Sequence, residues 1–582
     1  MYRAVIWLIL LLPIFTLLAC RPETQEPAGP VAPMVLDYHF AGEPLTLDPA
    51  LATDRASLDV MVHLFEGLTA FNPETVLAEP ALAVDWDVSE DGLTYTFKMK
   101  ENALWVNQQG EPQREVTAED VTYGIKRACN PAVVAPLKEL LFVIKGCQEV
   151  SITQGVPDLD RVAVRAIDRF AVEFTLESPA AYLPAILAMP VARPVPQEMI
   201  EQYGEGWTEQ GILLSNGPYL LSNWVPGEQL TLEKNPYYYD AASVAIVRVN
   251  GHFIQDPEEA LRLYQAHQLD ALSLASEDIK RLLPTESSRS ELTLVPTACT
   301  YSYGFTLVKP PVDNARVRRA LSLAIDRQWL VGEVLGDGEL PASHFVPRTV
   351  FGALPDTMLG VTFDLDMARR LMAEAGYPEG QGFPPITILH PTGERHSQIA
   401  TAVAAMWKQG LNIDVIVQAQ ERPTYLESIK VTTPLSDIPQ VWMLGWCAEL
   451  PDAHEWLYRI FHIEGLTPDE IPSALPEEEQ ITVWRGSNNT RRTPNRFDGL
   501  TAQAIAEREP AQRLELYAEA EELLLLEEAV LAPLYHPTTA TLSKPWLTRT
   551  FFLITGQSFK GWTLDMVAKE QTLHPPQEGQ ER

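Results

Sequence analysis

Few residues in this chain are arranged for covalent chemistry. Gly556-Gln557-Ser558 is followed by Phe559 and Lys560, so the G-x-S-x-G turn that exposes a nucleophilic serine is not completed. His454-Glu455 has Tyr458 where a zinc-binding helix needs its second histidine, and Gly336-Asp337-Gly338 lacks the third glycine of a dinucleotide loop. No Walker A loop and no C-x-x-C pair occurs. His390, His396, His454 and His462 are scattered, and such histidines are core or surface groups more often than ligands. The 78 carboxylates supply many acid pairs, none of which stands out. The expectation is a protein with no catalytic constellation, no metal and no cofactor. Two features remain: the cysteines, and the stretch Leu444-Gly445-Trp446-Cys447-Ala448-Glu449. Taken by themselves, Glu449 reads as a solvated acid at a strand end and Trp446 as a core aromatic.

The N-terminus sets how the cysteines are read. One positive residue, Arg3, precedes an apolar run from Ala4 to Ala19 that contains Pro13 and is shorter than a spanning helix requires. This is the build of a secretory signal over residues 1–20. Leu17-Leu18-Ala19-Cys20 resembles a bacterial lipobox, in which Cys20 takes lipid and becomes the first mature residue; an ordinary signal with an incidental cysteine is the alternative. Prolines 22, 27, 30 and 33 make residues 21–34 an extended tether. An even number of cysteines in an exported chain suggests disulfides: Cys129 and Cys147 enclose a short segment, which leaves Cys299 and Cys447 to close a long loop. Four buried free thiols are the other reading.

The elements that must position these groups follow from periodicity. Tyr95 to Lys100 alternates as a half-buried strand, and Thr117 caps a helix whose first turn holds Glu119 and Asp120. Helices are expected after Asn314, from Asp366 to a stop at Gly376 and Pro378, through Ile399 to Gly410, and from Pro510 to about Glu528. Leu411 to Val415 reads as a strand and 464–494 as a long surface loop. At 582 residues the chain exceeds one core, and its mixed elements predict a multidomain α/β (α+β) protein. With 44 basic against 78 acidic side chains the net charge is −34, which disfavours nucleic acid and anionic lipid as partners.

Several blocks, in order, resemble the extracytoplasmic solute-binding proteins of peptide ABC transporters, the group of oligopeptide-, dipeptide- and nickel-binding proteins. Val60 to Leu68 (VMVHLFEGL) is similar to the family's first signature, and Trp86 to Phe97 with Ala118 to Val121 to its next block. Ser215-Asn216-Gly217-Pro218-Tyr219, Asn235-Pro236-Tyr237-Tyr238 and Val317 to Arg327 (VRRALSLAIDR) match later ones. The resemblance spans about Leu36 to Asp565. It implies a two-lobed periplasmic-binding-protein-like fold with two hinge strands and an extra domain on the first lobe. Lobe I would comprise 35–75, 190–298 and 546–575, the extra domain 76–189 and lobe III 299–545, with a tail at 576–582.

The same resemblance implies a function. Peptides would be captured between closing lobes and passed to permease subunits served by a separate ATPase, the protein being a monomer held by lipid outside the cell membrane. A nickel chelate, haem, opine or oligosaccharide is the alternative solute; an exported peptide-sensing receptor or hydrolase is the alternative class. In the oligopeptide branch the stretch around Trp446 reads "GWCAD", its acid binding the ligand's α-ammonium and its Trp lining the pocket. Glu449, Trp446, Cys447 and Ala448 are the corresponding residues here, and Cys299–Cys447 resembles that branch's disulfide. Glu394-Arg395-His396 resembles the region whose histidine meets the ligand's carboxylate, which makes His396 a candidate. Met443 stands where that branch has an arginine, and Asp452 is the reserve anchor for the ammonium.

Overall fold

The computed structural model describes residues 33–275, 278–283, 289–355, 360–430, 433–462, 496–551 and 556–574. The signal, Cys20, nearly all of the tether, the 464–494 segment and the tail lie outside them. Met34 to Arg582 forms one compact unit, to which everything below refers.

Two sheets organise it. The first has seven strands in the order Tyr219–Val225, Gln229–Lys234, Arg248–Phe253, Val35–Phe40, Ala271–Leu274, Thr538–Ser543, Leu292–Pro296. The second has six: Leu340–Pro341, Leu531–His536, Cys299–Phe305, Val441–Cys447, Ile386–Pro391, Val415–Gln420. The chain passes between them twice, from Pro296 to Cys299 and from His536 to Thr538. Thr297 ties the two crossings by donating its N–H (2.9 Å) and hydroxyl (3.1 Å) to the Pro537 carbonyl. The protein is thus two-lobed, with paired hinge strands.

Each lobe has its own core. One apolar cluster joins the first sheet (Tyr38, Leu221, Leu232) to a four-stranded antiparallel sheet of Ala83–Val88, Thr94–Met99, Ala171–Thr175 and Val164–Asp168 (Tyr95, Phe97, Phe174). The second sheet has a separate core centred on Tyr303, Trp407 and Trp442. Strand Val441–Cys447 begins with four consecutive buried residues, Val441 to Leu444, as a strand covered on both faces must. Two places along, Val415–Gln420 lies at the sheet edge and is mostly exposed.

The helices form where periodicity and caps place them: Ala118–Cys129, Ala315–Leu323, Leu365–Glu374, Glu394–Leu411 and Pro510–Glu522. In the first, the Asp120 carboxylate accepts the Thr117 N–H at 2.8 Å, and in the second Asn314 accepts from the Arg316 N–H at 2.9 Å. One expectation shifts. Residues 411–414 are not a strand; Asn412 ends the long helix in the left-handed conformation (φ 56°), so the strand starts only at Val415. The VRRALSLAIDR block proves to be packing: Arg318 donates to the Val312, Asp313, Glu528 and Ala529 carbonyls, and Arg327 to those of Ser322, Ile325 and Pro533.

Candidate ligand cleft between the lobes

Cys299 and Cys447 face each other in the ladder and are joined by a disulfide; Cys129 and Cys147 form a second. The Ala448 N–H continues the ladder to the Ala298 carbonyl at 3.1 Å, so the strand ends against a crossing segment. Gly445 is required here, because a Cβ would come within 2.9 Å of the Tyr301 ring, which stacks on Tyr535 at 4.9 Å.

This strand end opens into a cavity of about 1000 Å³. Tyr38, Arg55 and Asp59 line it from the first lobe, Thr297 and Thr538 from the crossings, and Arg395 and Glu449 from the second lobe. Cys447 and Ala448 are also on its wall; Trp446 and His396 are not. Side chains alternate along a strand, so Trp446 points opposite to Cys447 and packs against the second lobe's core. His396 is half-buried behind Arg395, its ring 6.3 Å from that of Tyr301. Burial, then His390, Arg395 and Arg422, hold its pKa below the ordinary value, so it is neutral at pH 7 and offers a hydrogen bond, not a charge.

Most charges on the wall are already committed. Glu43 accepts from the Trp224 indole at 2.7 Å and the Gly227 N–H at 3.1 Å, and Asp54 caps a helix through the Ser57 N–H. Asp59 accepts from Arg55 and from the Gln557 N–H at 2.7 Å. Arg395 pairs with Glu339 and with Asp337 at 2.8 Å. Glu449 differs: it is exposed on the wall, and among the described residues its carboxylate makes no hydrogen bond or ion pair. Its charge is felt by Glu455 and Arg459. A carboxylate held at a strand end, facing a roomy cleft, is placed to receive a cationic group from a ligand.

Met443 is buried, its carbonyl taking the Tyr425 hydroxyl, so no cation replaces the arginine expected there. Asp452 is not a reserve anchor. It is buried in a bidentate pair with Arg513, a partner 61 residues away that sequence inspection had no means to find. Arg395 was legible in Glu394-Arg395-His396, but its two acidic partners were not. Among the described residues no three or more His, Cys, Asp or Glu side chains gather as metal ligands.

Comparison with known proteins agrees with this geometry. The family described as bacterial extracellular solute-binding proteins, family 5 middle, matches residues 78–466. The periplasmic oligopeptide-binding protein OppA of Salmonella typhimurium is 30% identical over 511 residues, 86% of this chain and 87% of its own. YgiS of Escherichia coli, a probable deoxycholate-binding periplasmic protein, is 28% identical over 554 residues, 94% of this chain and 95% of its own. The periplasmic murein tripeptide-binding protein MppA in its unliganded open form superposes with a TM-score of 0.79 at 29% identity, covering 92% of this chain and 98% of that one. A second MppA structure, from Escherichia coli, covers the same 92% at the same 29% identity with a TM-score of only 0.57. The overlap is thus greater with the structure described as unliganded and open.

Proposed function

We propose a function from one premise: the chain belongs to the bacterial extracellular solute-binding proteins of family 5. On this reading it is the capture subunit of an ABC importer. It takes an extended oligopeptide between its lobes, closes at the paired hinge strands and delivers the ligand to permease subunits driven by a separate ATPase. The observation that carries it is Glu449, the uncommitted carboxylate at the Cys447 strand end of the cleft. An α-ammonium there fixes one end of the ligand, while main-chain hydrogen bonds and wet side-chain pockets hold the rest. Contacts to both lobes are what favour closure, since a ligand shifts an equilibrium only by its differential affinity.

The domain limits given above go with this proposal, as does anchoring: Cys20 carries lipid, residues 21–34 tether the protein, and it works as a monomer outside the cytoplasm, in a periplasm or at the outer face of the cell membrane. The shared core of the seven- and four-stranded sheets supports treating 76–189 as an addition to lobe I. Glu449 is the ammonium anchor, Cys447 and Ala448 form the wall beside it, and Trp446 and His396 act from behind that wall.

A non-peptide solute is the second reading. Buried Met443, the neutralised Arg395 and the likeness to YgiS favour it, because no cation in these positions is set to take a peptide's terminal carboxylate. Mass spectrometry of ligand carried through purification of the mature protein, followed by calorimetry with the species found, tests both. Peptides with free amino termini are expected. A steroid acid or chelate alone, with no heat from peptides, sinks the first reading.

A further inference from the structure

The first lobe holds another cavity, of about 370 Å³, whose lining shares only Pro73 with the cleft. Arg193 lies on its wall and is 5% exposed. Among the described residues its Nε and Nη1 have no hydrogen-bond partner and it forms no ion pair. A buried guanidinium with open donors is costly, and such groups are as a rule completed by an acceptor.

The nearby acids are otherwise engaged. Glu66 accepts the Tyr238 hydroxyl, which also receives Lys560 Nζ at 3.3 Å; Lys560 in turn pairs with Asp240 at 2.8 Å. Lys100 sits 4.6 Å over the Tyr239 ring and donates to the Ala81 and Ala83 carbonyls. On the wall itself the cations are Arg193 and Lys560 and the acids Glu66 and Glu79; Lys100 and Asp240 stand behind it. Glu79 stays exposed at the rim, taking the Asn72 amide. Thr550, Gln557 and Ser558 add uncharged polar groups to the lining. The volume is a fraction of the cleft's and too small for an extended peptide.

We propose that this pocket binds a small oxyanion, the carboxylate of a small organic acid or inorganic phosphate, with Arg193 as its cation. The anion would supply the acceptors that the buried Arg193 donors lack. This site is separate from the cleft and does not rest on the nature of the transported solute.

Thermal unfolding of the mature protein tests it, titrating acetate or inorganic phosphate at low millimolar concentration against chloride of equal ionic strength. The control matters because phosphate at high concentration stabilises proteins without binding a site. A saturable rise in Tm is expected with at least one anion, following ligand linkage. Acetate alone identifies a carboxylate pocket, and phosphate alone a phosphate pocket. Arg193→Met should abolish the rise and leave affinity for the cleft ligand unchanged; replacing a buried ion by an apolar side chain is often neutral or stabilising. Should that variant fail to fold, Glu66→Gln serves. It removes the competing charge, keeps an acceptor for Tyr238, and should tighten the anion several-fold. No saturable shift with either anion, an equal shift in Arg193→Met, or no tightening in Glu66→Gln overturns the proposal.

Discussion

Arg513 grips Asp452 through both terminal nitrogens, at 2.6 and 2.7 Å, and the Tyr517 hydroxyl closes the group by accepting from the same guanidinium at 3.0 Å. Both partners of the ion pair are buried. The turn after the cleft strand is therefore pinned to a helix of the second lobe, since Asp452 also takes the His454 N–H at 2.9 Å. Removing one member of such a pair leaves an uncompensated buried charge, which typically costs about 3–5 kcal/mol. Asp452→Ala should lower the urea midpoint accordingly, while the folded fraction keeps its ligand affinity. A large fall in affinity at unchanged stability would return Asp452 to the cleft.

Glu521 predicts a pH dependence. It is fully buried; Oε1 accepts the Phe345 and Val346 N–H groups, and Oε2 has no partner. Burial pushes its pKa up from 4.5 to about 7, against the opposing pull of the two backbone donors. With the folded value raised, its contribution to stability is complete below about pH 4.5 and lost as pH rises through 7. Glu521→Gln cannot ionise. The variant should match the wild type near pH 4 and exceed it at pH 8, by at most about 3 kcal/mol. Parallel stability curves for the two proteins across that range would rule out Glu521 as the titrating group.

Local pattern carried the fold further than it carried the site. Caps at Thr117 and Asn314, and alternation from Tyr95, are short-range signals, and those elements formed where they pointed. The strand near Leu411 was misplaced because a left-handed Asn412, which hydrophobic alternation does not reveal, lengthens the helix end. Arg318 and Arg327 sit in a motif that invites a functional reading, yet they saturate backbone carbonyls of their own lobe. At the cleft, Glu449, Cys447 and Ala448 were legible because they follow one strand. Committed charges were not: the Asp59 carboxylate takes the N–H of Gln557, and Glu339 binds Arg395, across separations of 498 and 56 residues. Whether a charge is available to a ligand depends on such distant partners.

The Cys299–Cys447 bond spans 148 positions and fastens the cleft strand to the start of the second lobe. In the chain-entropy picture a loop of that length is worth about 5 kcal/mol through restriction of the unfolded state. A Cys299→Ser, Cys447→Ser double variant should therefore unfold at clearly lower denaturant. Peptide mapping without reductant should recover Cys129 with Cys147 and Cys299 with Cys447. Four alkylatable thiols in the unfolded, unreduced protein would contradict both pairings.

The proposed lipid attachment at Cys20 has its own readout. Cys20→Ala should move the protein from the membrane pellet to the soluble fraction, because the proposed anchor is the lipid on that sulfur. Retention of the variant after a high-salt wash would show that something other than lipid fixes the protein there.

The sharpest test concerns Glu449. An extended ligand in a strand-like slot needs one fixed end, or its register slides. A carboxylate with no hydrogen-bond or ion-pair partner among the described residues, set at the strand end, can supply that end through charge-assisted hydrogen bonds to an ammonium. Glu449→Gln keeps the shape and removes the charge, leaving the ammonium desolvated without a counterion on closure. Such a truncation typically costs about 2–5 kcal/mol, so peptide affinity should fall roughly 30-fold or more. N-acetylation of the peptide removes the other partner and should weaken binding to the wild type comparably. Acetylated peptide with Glu449→Gln should then lose much less than the sum, because both changes delete one interaction. Calorimetry on the four combinations decides the matter. Additive losses, or an unchanged affinity in Glu449→Gln, would place the ammonium elsewhere in the cleft, with Glu74 the next residue to substitute, since its exposed carboxylate also lines the wall without a hydrogen bond or ion pair among the described residues.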